Sequence, residues 1–223
     1  MFVGHLAAGL ALKKAEPRIN LGILFFASLL ADFLLGLFVL FGIEQVHVPA
    51  NFADIHYLMF TFPYSHGLLA SVLWSLLGFG VVQLLWRTKG AQKWRVGLVI
   101  ALAVFSHFLL DWIVHAPELP LLGETSPKLG LGLWNHLGLA LTLETGLVFV
   151  GLALYFQAVK PSRRVTQVGL VLLMLLVTIA TVAGQAFSNT PPPPTGAALS
   201  WIIQPLLLGG VAYWLDQRPH TAQ

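Results

Sequence analysis

Apolar residues in this chain do not alternate with polar ones at a helical or a strand period. They come in long blocks separated by short polar stretches. The blocks span residues 21–43, 66–86, 95–115, 131–159, 166–187 and 196–215. About 20 apolar residues carry a helix across a bilayer, and each block is long enough to do so. Barrel strands would alternate polar and apolar residues at period two, which these blocks do not. The pattern therefore predicts an all-α fold, a polytopic helical bundle of six transmembrane helices forming a single integral membrane domain over 1–223. A seventh, shorter apolar run, residues 1–12, is followed rather than preceded by its charges Lys13, Lys14 and Arg18. That order is the reverse of a signal peptide, and 12 residues are too few to cross, so a half-inserted N-terminal helix is expected.

Charge adds an orientation. Lys13, Lys14, Arg18, Arg87, Lys89, Lys93, Arg95, Lys160, Arg163, Arg164 and Arg218 fall at one end of the predicted spans, and only Lys128 falls at the other, a ratio of 11 to 1. Cytoplasmic loops are enriched in Lys and Arg, so this bias predicts six crossings of the cell (inner) membrane with both termini cytoplasmic. It also explains the pI near 9.4 without nucleic acid as a partner. The outer loops are then 44–65, 116–130 and 188–195, the last containing Pro191 to Pro194 as a stiff spacer. Pro205 falls inside the sixth span, where proline kinks a helix.

Composition agrees with the blocks. Charged residues make up 9% of the chain, hydrophobic residues 57%, and the mean hydropathy is +0.81. Soluble domains carry about 25% charged residues. With no cysteine, thiolate metal sites and cysteine nucleophiles are excluded, so a metal site would draw on His, Asp, Glu or Asn.

Ionisable residues inside spans are costly and default to function. Asp32 lies 12 residues beyond Asn20, roughly 18 Å along a helix. His107, Asp111 and His115 recur every fourth residue in FSHFLLDWIVH and drift only about 40° around the helix from one to the next. Counted from Arg95, His107 is roughly 18 Å and Asp111 roughly 24 Å along, toward the outer half. His66 opens the second span in FPYSHGLL, and His5 matches the depth of Asp32. Asn135, His136 and Glu144 lie in the fourth span. Together His5, Asp32, His66, His107 and Asp111 form a donor set suited to Zn, Mn or Fe, and such an ion activates water for hydrolysis. Glu144 and His115 are the candidate proton carriers. The same residues would serve a transporter or a proton- or ion-conducting protein, a haem ligated by paired histidines, or ion pairs that only hold helices together.

In motif order the chain resembles the YdjM-like membrane-bound metal-dependent hydrolases. In that family an N-terminal histidine, an aspartate in the next apolar run, an HS-type segment and an H-x-x-x-D element recur in sequence. Here the counterparts are His5, Asp32, His66 and the pair His107 and Asp111. The segments PYSHGLL, SHFLLDWIVHAPELPL and GLGLWN extend the likeness over most of the chain. The resemblance implies a divalent-metal hydrolase in the membrane, acting on a lipid-linked or phosphorylated substrate at the outer side. The family's Pro-Asp-x-Asp and HRG-x-x-HS segments are replaced here by ADFLLG and FPYSHG, which removes one carboxylate and one histidine. One metal or none, rather than two, is then implied, with His115 and Glu118 at the outer edge as substitutes for the lost ligands.

Overall fold

The computed structural model describes residues 1–87, 89–161 and 163–217, so Arg218 of the charge count lies outside the described residues. The architecture is a helical bundle of α1 (Phe2–Ala15), α2 (Leu21–Ser28), α3 (Leu30–Leu40), α4 (Phe52–Ile55), α5 (Leu68–Leu85), α6 (Ala91–Val114), α7 (Leu137–Val159), α8 (Arg164–Phe187) and α9 (Pro194–Leu215). α5, α6, α8, α9 and α7 with its preceding 3₁₀ turn (Leu133–His136) are each long and apolar enough to cross a membrane. Their outer surfaces are rich in exposed Leu, Val, Ile and Phe, as the block pattern requires.

Residues 21–43, expected as one span, form two helices bent by 51° at Leu29. The bend has a local cause. Ser28 Oγ donates back to the Phe25 carbonyl at 3.0 Å, and Leu29 N is shared between the carbonyls of Phe25 and Phe26 at 3.1 and 3.2 Å. The turn tightens and the α ladder stops there. Both halves then pack on α9 at glycines: a Cβ on Gly22 would stand 2.2 Å from the Gly209 carbonyl, and one on Gly36 would stand 2.6 Å from that of Ala198. α9 itself runs unbroken through Pro205, with Pro194 in its first turn, where the missing N–H costs nothing.

α1 occupies the middle of the bundle. It packs chiefly on α7, and also on α2, α6 and α8, burying Val3, His5, Leu6, Ala7, Leu10 and Lys13. The contact with α7 is close because Gly151 faces the Ala7 carbonyl, leaving only 2.8 Å to a Cβ built there. Two short antiparallel hairpins lie at the Lys- and Arg-poor end. β1 (Gln45–His47) pairs with β2 (Met59–Thr61) in the register Val46 to Phe60, and β3 (Leu119–Pro120) pairs with β4 (Lys128–Leu129). They fold the 44–65 and 116–130 segments back over the ends of α3, α5 and α6, and so roof the polar cluster described next.

Candidate metal centre

Three helices and one helix-entry loop bring the polar residues together. On α6, His107 Nε2 stands 3.2 Å from Asp111 Oδ2, one turn away. His66, two residues before α5 begins, places its Nε2 3.1 Å from His107 Nε2 and 3.6 Å from Asp111 Oδ2. Asp32, in the first turn of α3 beside the positive end of that helix, puts Oδ1 3.7 Å from the Nε2 atoms of both His66 and His107. From α1, His5 stacks on His107 with ring centroids 3.7 Å apart and planes 7° from parallel, its Nε2 3.1 Å from Asp111 Oδ1. Met1 N is also 3.1 Å from that oxygen. His115, at the end of α6, closes the ring with Nε2 3.7 Å from Asp111 Oδ2.

The outward-facing nitrogens fix the tautomers. His107 Nδ1 lies 2.7 Å from the Ser28 carbonyl, which only accepts, so Nδ1 carries the proton. That carbonyl is available because the helix breaks at Leu29. Ser65 Oγ donates to Glu44 Oε2 at 2.6 Å, so it accepts from His66 Nδ1 at 2.8 Å. Glu44 is held in turn by the N–H groups of Tyr64 and Ser65. His115 Nδ1 donates to Glu118 Oε1 at 2.6 Å, and Glu118 Oε2 accepts from Phe60 N. Three imidazoles therefore turn their Nε2 atoms inward. Each Nδ1–H is anchored to an oxygen, the arrangement that orients metal-ligating histidines.

Two Nε2 atoms 3.1 Å apart need a cation between them, either a shared proton or a metal ion. The distances suit such an ion. Donors about 2.0–2.1 Å from a tetrahedral metal stand roughly 3.3 Å from one another. The five measured separations among His66, His107, Asp111 and Asp32 run from 3.1 to 3.7 Å. Two overlapping triads, His66 with His107 and Asp111, and His5 with Asp32 and His107, each bring three ligand atoms within 4.8 Å of one another. His5 Nδ1 is buried and has no hydrogen-bond partner among the described residues. The donor set is all nitrogen and carboxylate, as first-row divalent ions require in the absence of thiolates.

A cavity of about 150 Å³ opens on this cluster, lined by His5, Asp32, His66, Asp111 and His115 together with Phe60, Phe62, Trp134, Gln185 and Trp201. His5, Asp32, His66, His107 and Asp111, singled out in the sequence, are thus neighbours, and His115 joins them. Glu144 does not line the cavity. Its Oε1 accepts from Gly4 N at 3.2 Å, so it caps the start of α1, where backbone N–H groups lack helical partners. His136 is exposed, and Asn135 accepts from the Tyr57 hydroxyl. Sequence reasoning missed Ser28, Ser65 and Glu44. Glu44, a lone carboxylate in FGIEQ at the end of an apolar block, carried a signal; Ser28 acts through its carbonyl and carried none. Comparison of the chain with protein-family models, with curated proteins and with solved structures finds no match, so the functional reading rests on this geometry.

Proposed function

We propose that the protein is a membrane-embedded metal-dependent hydrolase whose His/Asp cavity faces the outer half of the bilayer. The observation that carries this is the set of five donor separations among His66, His107, Asp111 and Asp32, with the Nδ1–H groups of both histidines anchored outward. The motif order shared with the YdjM-like family supports the same reading. A bound Zn, Mn or Fe ion supplies Lewis-acid activation of water and of a substrate oxygen near neutral pH. His66, His107, Asp111 and Asp32 would hold it, with His5 alongside. His115 presents its Nε2 to the cavity and would take up the proton that water gives up, while Glu118 fixes the ring through Nδ1. Phe60, Phe62, Trp134 and Trp201 exclude bulk water. The Glu144 role becomes one of positioning α1, and with it His5.

The topology belongs to the same proposal. With α2 and α3 counted as one broken span there are six crossings, and α1 is a half-inserted helix packed among them. The Lys- and Arg-rich end is cytoplasmic, which places the end of α9 at the inner face of the cell membrane and the cavity toward the outside. The expected cytoplasmic N-terminus is corrected, because Met1 N lies beside Asp111 in that cavity and α1 runs from it down to Lys13 and Lys14. The transport alternative needs a second polar route to the cytoplasmic end. Between the cluster and that end stand the fully buried Leu6, Leu10, Leu24 and Phe25.

Metal analysis of the purified protein tests the reading. About one Zn, Mn or Fe per chain is expected, falling below a tenth in His107→Ala. Wild-type protein without stoichiometric metal at neutral pH would overturn it.

A further inference from the structure

Beside the metal cavity lies a larger groove of about 550 Å³ between α8 and α9, within the size range of small-molecule sites. It shares the lining residues Phe2, Gln185 and Trp201 with the cavity, so the two adjoin at these side chains. Its lining changes character along its length. Leu176, Val177, Leu207 and Leu208 line the deep end, whereas Gln185, Ser200 and Gln204 lie toward the end nearer the 188–195 loop. Leu176 and Gln185 are nine residues apart on α8, about 14 Å along the axis. Leu176 and Leu207 are strongly exposed, and in a bilayer that exposure is to acyl chains. A third space of about 220 Å³, lined by Phe52, His56, Tyr57 and Ser188, opens among the outer loops, shares Phe60, Trp134 and Gln185 with the cavity and meets the groove at Gly184 and Gln185. Gln185 is the residue common to all three spaces, and its amide makes no hydrogen bond among the described residues.

We propose that the substrate is an amphiphile taken laterally from the membrane. Its hydrocarbon chain lies in the α8–α9 groove, and its head, bearing a metal-coordinating oxygen, passes Gln185 and Trp201 into the His/Asp cavity. This rests on the hydrolase reading above. The groove accounts for the tail because only hydrocarbon is present at that depth, and its polarity gradient matches a molecule with its head outward. The outer space lets water in and the polar product out. The Gln185 amide, able to donate and accept, holds the head at the junction.

The test uses metal-loaded protein and alkylphosphonates of two, six and ten carbons, with binding measured by calorimetry in a single detergent. Affinity rises with chain length in the wild type, by up to about fourfold per buried methylene. Gly184 lines the groove and a Cβ there would meet nothing within 4 Å, so Gly184→Phe is chosen to fill it. In that variant ten-carbon binding drops at least tenfold while ethylphosphonate binding stays within twofold; Ala180→Trp is the second variant. Equal chain-length dependence in wild type and both variants overturns the proposal while leaving the metal reading intact. If no metal is retained, so that the hydrolase reading itself fails, photolabelling with a ten-carbon diazirine chain decides the groove alone: labels on α8 and α9 that Gly184→Phe abolishes support it, and labels unaffected by Gly184→Phe overturn it.

Discussion

Ser65 and Glu44 orient a histidine of the candidate metal centre from outside it. The hydroxyl of Ser65 can accept from His66 Nδ1 only because its own proton is committed to Glu44. Removing the hydroxyl leaves the imidazole free to flip or change tautomer, so Ser65→Ala lowers metal affinity about 10–100-fold, as loss of such orienting partners does elsewhere. Competition with a calibrated chelator measures it, and an unchanged affinity would show that His66 needs no such anchor. The three inward Nε2 atoms were legible from residue identity and spacing, since His107, Asp111 and His115 recur at helical intervals. Their anchors were not, because a serine and a main-chain carbonyl give no compositional signal. Glu144 misled for the opposite reason. An ionisable residue at depth reads as chemistry, yet here it satisfies the unpaired N–H of Gly4.

At the scale of elements, block lengths located the long helices to within a few residues, because burial in lipid demands uninterrupted apolar sequence. The break at Leu29 was invisible: SLLAD holds neither proline nor glycine, and the bend arises from Ser28 back-bonding and from packing on α9. The hairpins were equally hidden, since strands of two or three residues fall below any period. A second buried polar cluster ties elements together at the opposite end of the bundle. Asp216, just past α9, accepts from Tyr155 of α7 at 2.6 Å, from Leu21 N of α2 at 2.8 Å and from Lys13 of α1. Each partner comes from a different helix, so the aspartate is a four-helix clasp. Tyr155→Phe removes one bond to a charged acceptor and destabilises the fold by about 1.5–3 kcal/mol. Asp216→Ala leaves Lys13 short of its ion partner and costs about 3–5 kcal/mol. Reversible unfolding in mixed micelles ranks the two, and equal stability of wild type and Asp216→Ala would rule the clasp out.

Over the whole molecule, orientation can be read chemically because the chain has no cysteine to remove first. Glu124→Cys, in the exposed turn between β3 and β4, reacts with an impermeant maleimide added to intact cells. Lys89→Cys, between α5 and α6, reacts only after lysis. The reverse pattern would invert the topology and turn the cavity inward. The charge count across loops made this prediction available from sequence alone; which helix sits in the middle it could not give, because central and peripheral helices are equally apolar in a bilayer.

The central place of α1 bears on how the protein is made. Its polar contacts reach partners 110 residues away at Asp111, 140 away at Glu144 and 203 away at Asp216. α1 is the earliest of these helices to leave the ribosome, yet its last partner emerges only after α9 has been translated. His5 gains Asp111 and His107 once α6 is made, whereas Lys13 gains Asp216 only with α9. Chains arrested before α9 therefore hold the cavity end of α1 in place while its basic end still lacks the aspartate. Insertion of α9, rather than of any earlier span, is the moment at which the centre of the bundle can close.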